Sequence, residues 1–77
     1  MSAVIAIDAG TTGVRSIAVF SDSRKPIASY REFTQHFPDN GWVEHDALEI
    51  WHVVVETLRD VIGTVGIDRV AAIGITN

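Results

Sequence analysis

Residues 3–15 read AVIAIDAGTTGVR, and this stretch decides the fold because a glycine-rich turn directly follows an apolar run. The run over residues 3–7 is continuous, contains three β-branched side chains and stops at Asp8, which is typical of a strand buried on both faces. Gly10 and Gly13 bracket two threonines in the turn. A second apolar segment follows, so the stretch predicts a hairpin of two strands.

The hairpin is followed by a third predicted strand over residues 26–33 and then by a helix. Pro26 is tolerated as the first residue of a strand, where it has no ladder hydrogen bond to donate. Asp46 followed by Glu49 is typical of a helix start, in which the two side chains cap free amides reciprocally. We therefore expect the helix to begin at Asp46.

The predicted helix is amphipathic, because apolar side chains recur at three- and four-residue steps. Gly63 and Gly66 both offer positions at which it can end. Residues 70–75 then form a second apolar run of strand length. Trp42 adjoins the capped helix and is expected in the core. The helix residues predicted to face the core are Trp51, Val54, Val55, Leu58, Val61 and Ile62.

The predicted order is strand, strand, strand, helix, strand, which is an α/β arrangement. It implies an antiparallel three-stranded sheet and a helical crossover that returns the fourth strand parallel to the first. One helix cannot cover two sheet faces, yet residues 3–7 and 70–75 both have the composition of strands buried on each side. We therefore expect an incomplete domain whose second face is covered by residues outside these 77.

The composition excludes several classes of function. Six Lys and Arg stand against ten Asp and Glu, a net charge of −4 with no basic stripe, so nucleic acid is not an expected partner. The chain has no cysteine for a disulfide or a thiolate metal site. His36, His45 and His52 lack the paired spacing of zinc motifs. The first apolar run is too short for a signal peptide or membrane span, so a cytoplasmic location is expected.

The turn after the first strand is also the candidate functional site. It can point backbone amides, two hydroxyls and a guanidinium at one anion, and a phosphate suits that set of donors. Asp8 at the strand's end can hold Mg²⁺ through water. The plain alternative is a glycine turn whose threonines bond their own backbone, but the preceding strand and the order of elements favour a site. Its candidate phosphate contacts are Gly10, Thr11, Thr12, Gly13 and Arg15.

The turn resembles the first phosphate motif of the actin-like ATPase superfamily, and the whole chain resembles the FGGY carbohydrate kinases within it. The resemblance is strongest to the members that act on glycerol. It implies a ribonuclease H-like fold in which residues 1–77 are the N-terminal part of the first kinase domain. The strings that carry it are residues 8–12 (DAGTT), 31–35 (REFTQ), 41–46 (GWVEHD), 49–51 (EIW) and 72–77 (AIGITN).

The resemblance implies an enzyme that transfers the γ-phosphoryl group of ATP to a terminal hydroxyl of glycerol, giving sn-glycerol 3-phosphate and ADP. Asp8 then resembles the Mg²⁺-associated carboxylate, Thr11 and Thr12 the phosphate contacts, and Arg15 a side chain near the nucleotide phosphates. Many members carry serine where this chain has Gly13, which can offer only a backbone amide. Ala9 likewise replaces a residue that is commonly polar.

The family's polyol-binding Arg-Glu pair follows the string that ends at Asn77, and its general base lies far downstream. No catalytic residue is therefore expected within this chain, and the 77 residues alone are predicted to be inactive. The expected partners are glycerol and the remainder of the kinase chain, and a homo-oligomer is compatible with the sequence.

Two alternatives stay open at this point. Another FGGY kinase, such as a xylulokinase, would keep the first motif but normally differ after Gly74, where residues 75–77 favour glycerol. A non-catalytic nucleotide-binding module of the same superfamily is the second alternative. The loop over residues 37–46 argues against it, because that string resembles kinases and neither actin nor chaperones.

Overall fold

The computed structural model describes residues 2–34 and 46–76, and it confirms the predicted order of elements. The first strand continues beyond residue 7, so Asp8 lies within it and does not end it. The third strand is one residue shorter at each end than predicted. The elements are β1 (Ala3–Ala9), β2 (Gly13–Phe20), β3 (Ile27–Glu32), α1 (Ala47–Val65), a 3-10 turn (Ile67–Arg69) and β4 (Val70–Thr76).

The four strands form one mixed sheet in the order β3-β2-β1-β4. β1 pairs antiparallel with β2, and β2 pairs antiparallel with β3. β4 returns through α1 and pairs with β1 in parallel, with Ile5 opposite Ile73 and Ile7 opposite Ile75. The predicted antiparallel sheet with a parallel crossover strand is therefore confirmed.

The core lies between the sheet and α1, and we call the covered side of the sheet the helix face and the other side the open face. Alternate residues of β1 and β2 point to the helix face, as period-two strands require. On the open face Val4 and Val19 are each 51% exposed, so one helix covers one face as expected. The buried apolar residues are Ala3, Ile5, Ile7, Val14, Ala18, Phe33, Val53, Val54, Val61 and Val65.

β4 is exposed along almost its whole length, which agrees with the expected missing cover on the open face but makes the prediction of burial wrong on the helix face. Ile73 is 46% exposed and Ile75 is 70% exposed, although both share the helix face with Ile5 and Ile7. The physical reason is the position of the helix, because α1 packs mainly over β2 and β3, on the other side of β1.

Asp46 caps the start of α1 as the sequence predicts, whereas a hydrogen bond of Glu49 goes to Thr34. The Asp46 carboxylate accepts a hydrogen bond of 2.9 Å from the N–H of Leu48, which satisfies one free amide of the first turn. The Glu49 carboxylate accepts a 3.0 Å hydrogen bond from the N–H of Thr34 and so ties the helix start to the segment after β3.

The end of α1 lies at Gly66 and not at Gly63, which is inside the helix. Gly66 has φ of 95° and ψ of 127°, a combination that residues with a Cβ rarely adopt, and its N–H donates to the Ile62 carbonyl at 2.7 Å. None of the described helices is long and apolar enough to cross a membrane.

The buried stripe of α1 differs from the predicted one at its edges. Trp51 is 59% exposed, so its predicted core position is wrong. Thr57, which the apolar pattern omits, is fully buried in the middle of the stripe. Trp42, His36 and His45 lie outside the described residues. The buried helix residues are Val53, Val54, Thr57, Val61 and Val65.

Candidate phosphate-binding site

The candidate site is the turn over residues 10–12, which joins the ends of β1 and β2. The N–H of Gly10 donates a 2.9 Å hydrogen bond to the carbonyl of Gly13 and closes the turn. That amide is therefore occupied, so the predicted part of Gly10 in ligand binding is limited to close backbone approach. The N–H of Phe33 donates to the Thr12 carbonyl at 3.2 Å, which fastens the end of β3 to the turn.

Free hydrogen-bond donors are concentrated at the two threonines of the turn. Within residues 2–34 and 46–76, no hydrogen bond uses the N–H of Thr11, the N–H of Thr12 or the Thr11 hydroxyl. Both threonines are exposed. Adjacent unpaired N–H groups can converge on an anion. The turn therefore presents donors without competing acceptors, which favours the binding-site interpretation over self-satisfied threonines.

Two opposite charges lie beside the turn on the open face. Asp8 and Arg15 are direct partners in the β1–β2 register, and both are exposed. No ion pair joins either of them to any residue of the described ranges. The Arg15 guanidinium instead lies 5.5 Å from the ring centroid of Tyr30, its register partner on β3. Both charges therefore stay available to a ligand.

The Asp8 carboxylate can serve a magnesium ion as one contact but not as a complete cage. No three His, Cys, Asp or Glu side chains cluster as a metal site among residues 2–34 and 46–76. Mg²⁺ in phosphate sites is commonly held by one or two carboxylates, by phosphate oxygens and by waters. An exposed carboxylate beside a turn of free donors fits that pattern.

Gly13 is the buried member of the candidate set and has a structural reason to be glycine. A Cβ at this position would lie 2.5 Å from the Arg31 carbonyl oxygen and 2.7 Å from the Tyr30 Oη. Such distances require the neighbouring strand or the tyrosine ring to move. Gly13 therefore permits close packing of β3 against the start of β2.

Tyr30 is the residue at this site that sequence reasoning missed. Its Oη lies 3.3 Å from the Oγ1 of Thr12, in addition to its contacts at Gly13 and Arg15. The sequence could indicate only which face Tyr30 occupies, because side chains alternate along a strand and Tyr30 follows a residue of β3 that points to the helix face. This alternation alone does not fix which residue of β2 lies opposite, so the contact could not be deduced before the register was known.

β3 is held to α1 by a polar cluster on the helix face, opposite to Tyr30. The Arg31 guanidinium is 3.3 Å from the Glu56 carboxylate and 2.9 Å from that of Asp60. The Ser29 hydroxyl donates to the same Asp60 oxygen at 2.8 Å. The hydrogen bond from Ser29, followed by that from Arg31, lowers the pKa of Asp60 below its ordinary value.

Comparison with known proteins gives matches over almost the whole chain. Residues 3–77 match the N-terminal domain of the FGGY family of carbohydrate kinases. The chain is 51% identical over 75 residues to a glycerol kinase of Gluconobacter oxydans and 51% identical over 76 residues to one of Agrobacterium fabrum. It is 47% identical over 76 residues to a glycerol kinase of Rhizobium meliloti. Each match covers 96% of this chain and 15% of the relative's length.

Proposed function

The chain belongs to the FGGY family of carbohydrate kinases, and from that premise we propose that the full-length protein transfers the γ-phosphoryl group of ATP to glycerol. The product is sn-glycerol 3-phosphate, with ADP released. The observation that carries the choice of glycerol is the 47–51% identity to three glycerol kinases across 96% of the chain. In this proposal residues 1–77 form the N-terminal part of the first of the enzyme's domains.

The turn over residues 10–12 binds the phosphates of the nucleotide in this proposal. The N–H groups of Thr11 and Thr12 and the threonine hydroxyls donate hydrogen bonds to phosphate oxygens. The Arg15 guanidinium adds a positive charge from the neighbouring strand, and charge-assisted bonds of this kind are the stronger ones. Among the described residues the two N–H groups and the Thr11 hydroxyl are free and Arg15 has no ion pair, which supports the assignment.

Asp8 completes the phosphate side of the site by holding Mg²⁺ through water. In phosphoryl transfer the metal neutralises charge on the phosphate oxygens, which is the chemistry that it supplies when bound. Asp8, the last but one residue of β1, would hold the hydrated metal beside the turn. The exposed carboxylate, directly opposite Arg15 in the β1–β2 register, supports this part of the proposal.

The acceptor side of the reaction lies outside these residues in the proposal. Transfer to a hydroxyl requires a positioned base that takes its proton, and we assign both that base and the polyol contacts to the remainder of the kinase chain. A cytoplasmic location and a homo-oligomeric assembly stay predictions.

The test is a substrate comparison with the purified full-length protein. ADP formation is measured with Mg²⁺-ATP and either glycerol or D-xylulose, and the phosphorylated product is identified by ³¹P NMR. We expect turnover that depends on glycerol and stops when EDTA removes the metal. Turnover with D-xylulose but not glycerol would identify another sugar kinase. Nucleotide binding without any turnover would favour the non-catalytic module.

A further inference from the structure

We infer that Tyr30 is a positioning residue of the phosphate-binding turn and that Gly13 and Tyr30 form a matched pair. The inference deepens the proposed function and rests on it for the identity of the ligand, a nucleoside triphosphate with its metal. Tyr30 lies on β3, whereas the candidate phosphate contacts lie in the turn and on β2.

Three contacts converge on the side chain of Tyr30. The Tyr30 ring lies under the Arg15 guanidinium at 5.5 Å, and its Oη is 3.3 Å from the Thr12 Oγ1. The ring also occupies the space into which a side chain at Gly13 would project. Tyr30 is itself 46% exposed, so burial in the core does not explain its position.

The contact with Thr12 limits which hydroxyl is the donor once a phosphate binds. A threonine hydroxyl has one proton, so Thr12 can donate it to a phosphate oxygen and keep its hydrogen bond to Tyr30 only if its own oxygen accepts from Tyr30. The tyrosine hydroxyl then acts as the donor and leaves the threonine proton pointing at the ligand. Tyr30 in this way leaves Thr12 free to donate to the anion.

The contact with Arg15 restricts the cation to the open face. A guanidinium over an aromatic face is attracted by the ring's quadrupole and keeps its N–H donors at its edge. Arg15 therefore loses less side-chain freedom when a phosphate binds. The strand that carries the ring is itself fixed, because Ser29 and Arg31 on either side of Tyr30 bind Asp60 of α1.

The glycine completes the pair. With any Cβ at position 13 both the tyrosine ring and the β3 backbone at Arg31 must shift, and the contacts with Thr12 and Arg15 shift with the ring. Removing the ring relieves its own clash but leaves the one with the Arg31 carbonyl, so a substitution at Gly13 weakens the site less when Tyr30 is absent. If the two residues act as a pair, the effects of their substitutions on nucleotide affinity are not additive, whereas independent residues give additive effects.

The test uses the full-length protein and compares Tyr30→Phe, Tyr30→Ala, Gly13→Ala and the double variant Gly13→Ala/Tyr30→Ala. The dissociation constants of Mg²⁺-ADP and Mg²⁺-ATP are measured by titration calorimetry, together with the melting temperature and the KM for each substrate. Val19→Ala is the matched control, because Val19 is a half-exposed residue of the open face outside the turn.

We expect Tyr30→Phe to weaken nucleotide binding about twofold to tenfold, the worth of one hydrogen bond. Tyr30→Ala, which also loses the ring under Arg15, weakens it further. The KM for ATP rises while that for glycerol is unchanged. Adding Gly13→Ala to Tyr30→Ala has a smaller effect than Gly13→Ala alone, and Val19→Ala leaves the affinity at the wild-type value.

Two results would overturn the inference. One is a lower melting temperature for the Tyr30 variants with unchanged nucleotide affinity, which identifies a purely structural residue. The other is full additivity of the Gly13 and Tyr30 substitutions. The affinity series is independent of turnover, so a wild-type protein that binds nucleotide without phosphorylating glycerol contradicts the proposed function alone. A wild-type protein that binds no nucleotide contradicts both.

Discussion

Among the single residues of the site, Arg15 is the one whose substitution tests nucleotide binding most directly. Its guanidinium is exposed, has no ion pair among the described residues and lies beside two threonines with free N–H groups. Hydrogen bonds to charged groups contribute about 1.5–3 kcal/mol, so we predict that Arg15→Gln weakens Mg²⁺-ATP binding about 10- to 100-fold.

The matched control for this prediction is Arg59→Gln on the exposed side of α1, which removes the same charge far along the sequence from the turn. Titration calorimetry on the full-length protein measures both variants. Equal affinity losses in Arg15→Gln and Arg59→Gln would point to net charge and not to a specific contact.

The chemistry of individual turn residues could be predicted from the sequence, but their contacts could not. An aspartate, two threonines and an arginine around two glycines indicate an anion site because those groups have only a few uses together. That the Gly10 amide closes the turn and that Gly13 lies beneath Tyr30 depend on pairing between strands. Pairing register is a property of the assembled sheet and not of the local string.

At the scale of elements, α1 is joined to β2 by a buried polar contact. The Ser16 and Thr57 hydroxyl oxygens are 2.9 Å apart, and both residues are fully buried. Thr57 also donates to the Val54 carbonyl at 3.1 Å, so its single proton is used and Ser16 must be the donor between the two. Thr57→Val therefore leaves a buried hydroxyl without an acceptor.

We predict that Thr57→Val lowers the free energy of unfolding by about 1–3 kcal/mol, the usual penalty for an unsatisfied buried group. Ser16→Ala lowers it less, because Thr57 keeps its bond to Val54. Urea unfolding of the two single variants and the double variant checks this. Adding Ser16→Ala to Thr57→Val should restore part of the lost stability, and a simple sum of the two losses would refute the assigned donor.

The polar cluster between β3 and α1 predicts a dependence of stability on pH. The pKa of Asp60 is lowered in the folded protein, so its ionised carboxylate stabilises the fold. This stabilisation is fully present above the ordinary pKa of 3.8 and is lost as the pH falls through the pKa of the folded state. Asp60→Asn should therefore lower the melting temperature near neutral pH, and the difference from the wild type should shrink below about pH 4.

Glu32→Gln is the control for the Asp60 experiment, because Glu32 is an exposed carboxylate of β3 with no ion pair among the described residues. It should show no comparable convergence with the wild type in acid. A difference between Asp60→Asn and wild type that stays constant from neutral to acidic pH would contradict the role assigned to the carboxylate's charge.

The sequence predicts the elements well where local chemistry decides them and poorly where packing does. Asp46 and Gly66 bound the helix because capping and a positive φ are local requirements. The predicted burial of Trp51 is wrong because apolar spacing marks a broad stripe of α1, whereas contact with β2 and β3 buries only the centre of that stripe. Thr57 lies within that centre, three residues after Val54, so its burial could have been predicted from its place in the stripe.

At the scale of the whole molecule, one helix covers part of one face of a four-stranded sheet. Half-exposed Val4 and Val19 on the open face, and Ile73 and Ile75 on β4, have the apolar character that the sequence assigned to central strands. The described residues thus present the candidate phosphate site on a thinly covered sheet. We infer that the contacts to the acceptor hydroxyl and the base that takes its proton come from the rest of the kinase chain.

We predict from this that the isolated 77-residue chain forms no ADP in a glycerol-dependent reaction, even at high protein concentration. The full-length protein, assayed in the same buffer with the same Mg²⁺-ATP, is the positive control. Glycerol-dependent ADP production by the purified 77-residue chain would contradict the assignment of the base and polyol contacts to downstream residues.

Residues 10–12 hold the phosphates of the nucleotide in the proposed function, and hydrogen–deuterium exchange of the full-length protein can test this binding. Amide exchange is followed with and without saturating Mg²⁺-ADP in peptides that cover residues 8–15 and, as an internal reference, Ala47–Val65. We predict slower exchange at Thr11 and Thr12, whose N–H groups are free in the structure, and little change in the helix. Bound nucleotide that leaves the exchange of residues 8–15 unchanged would contradict the account.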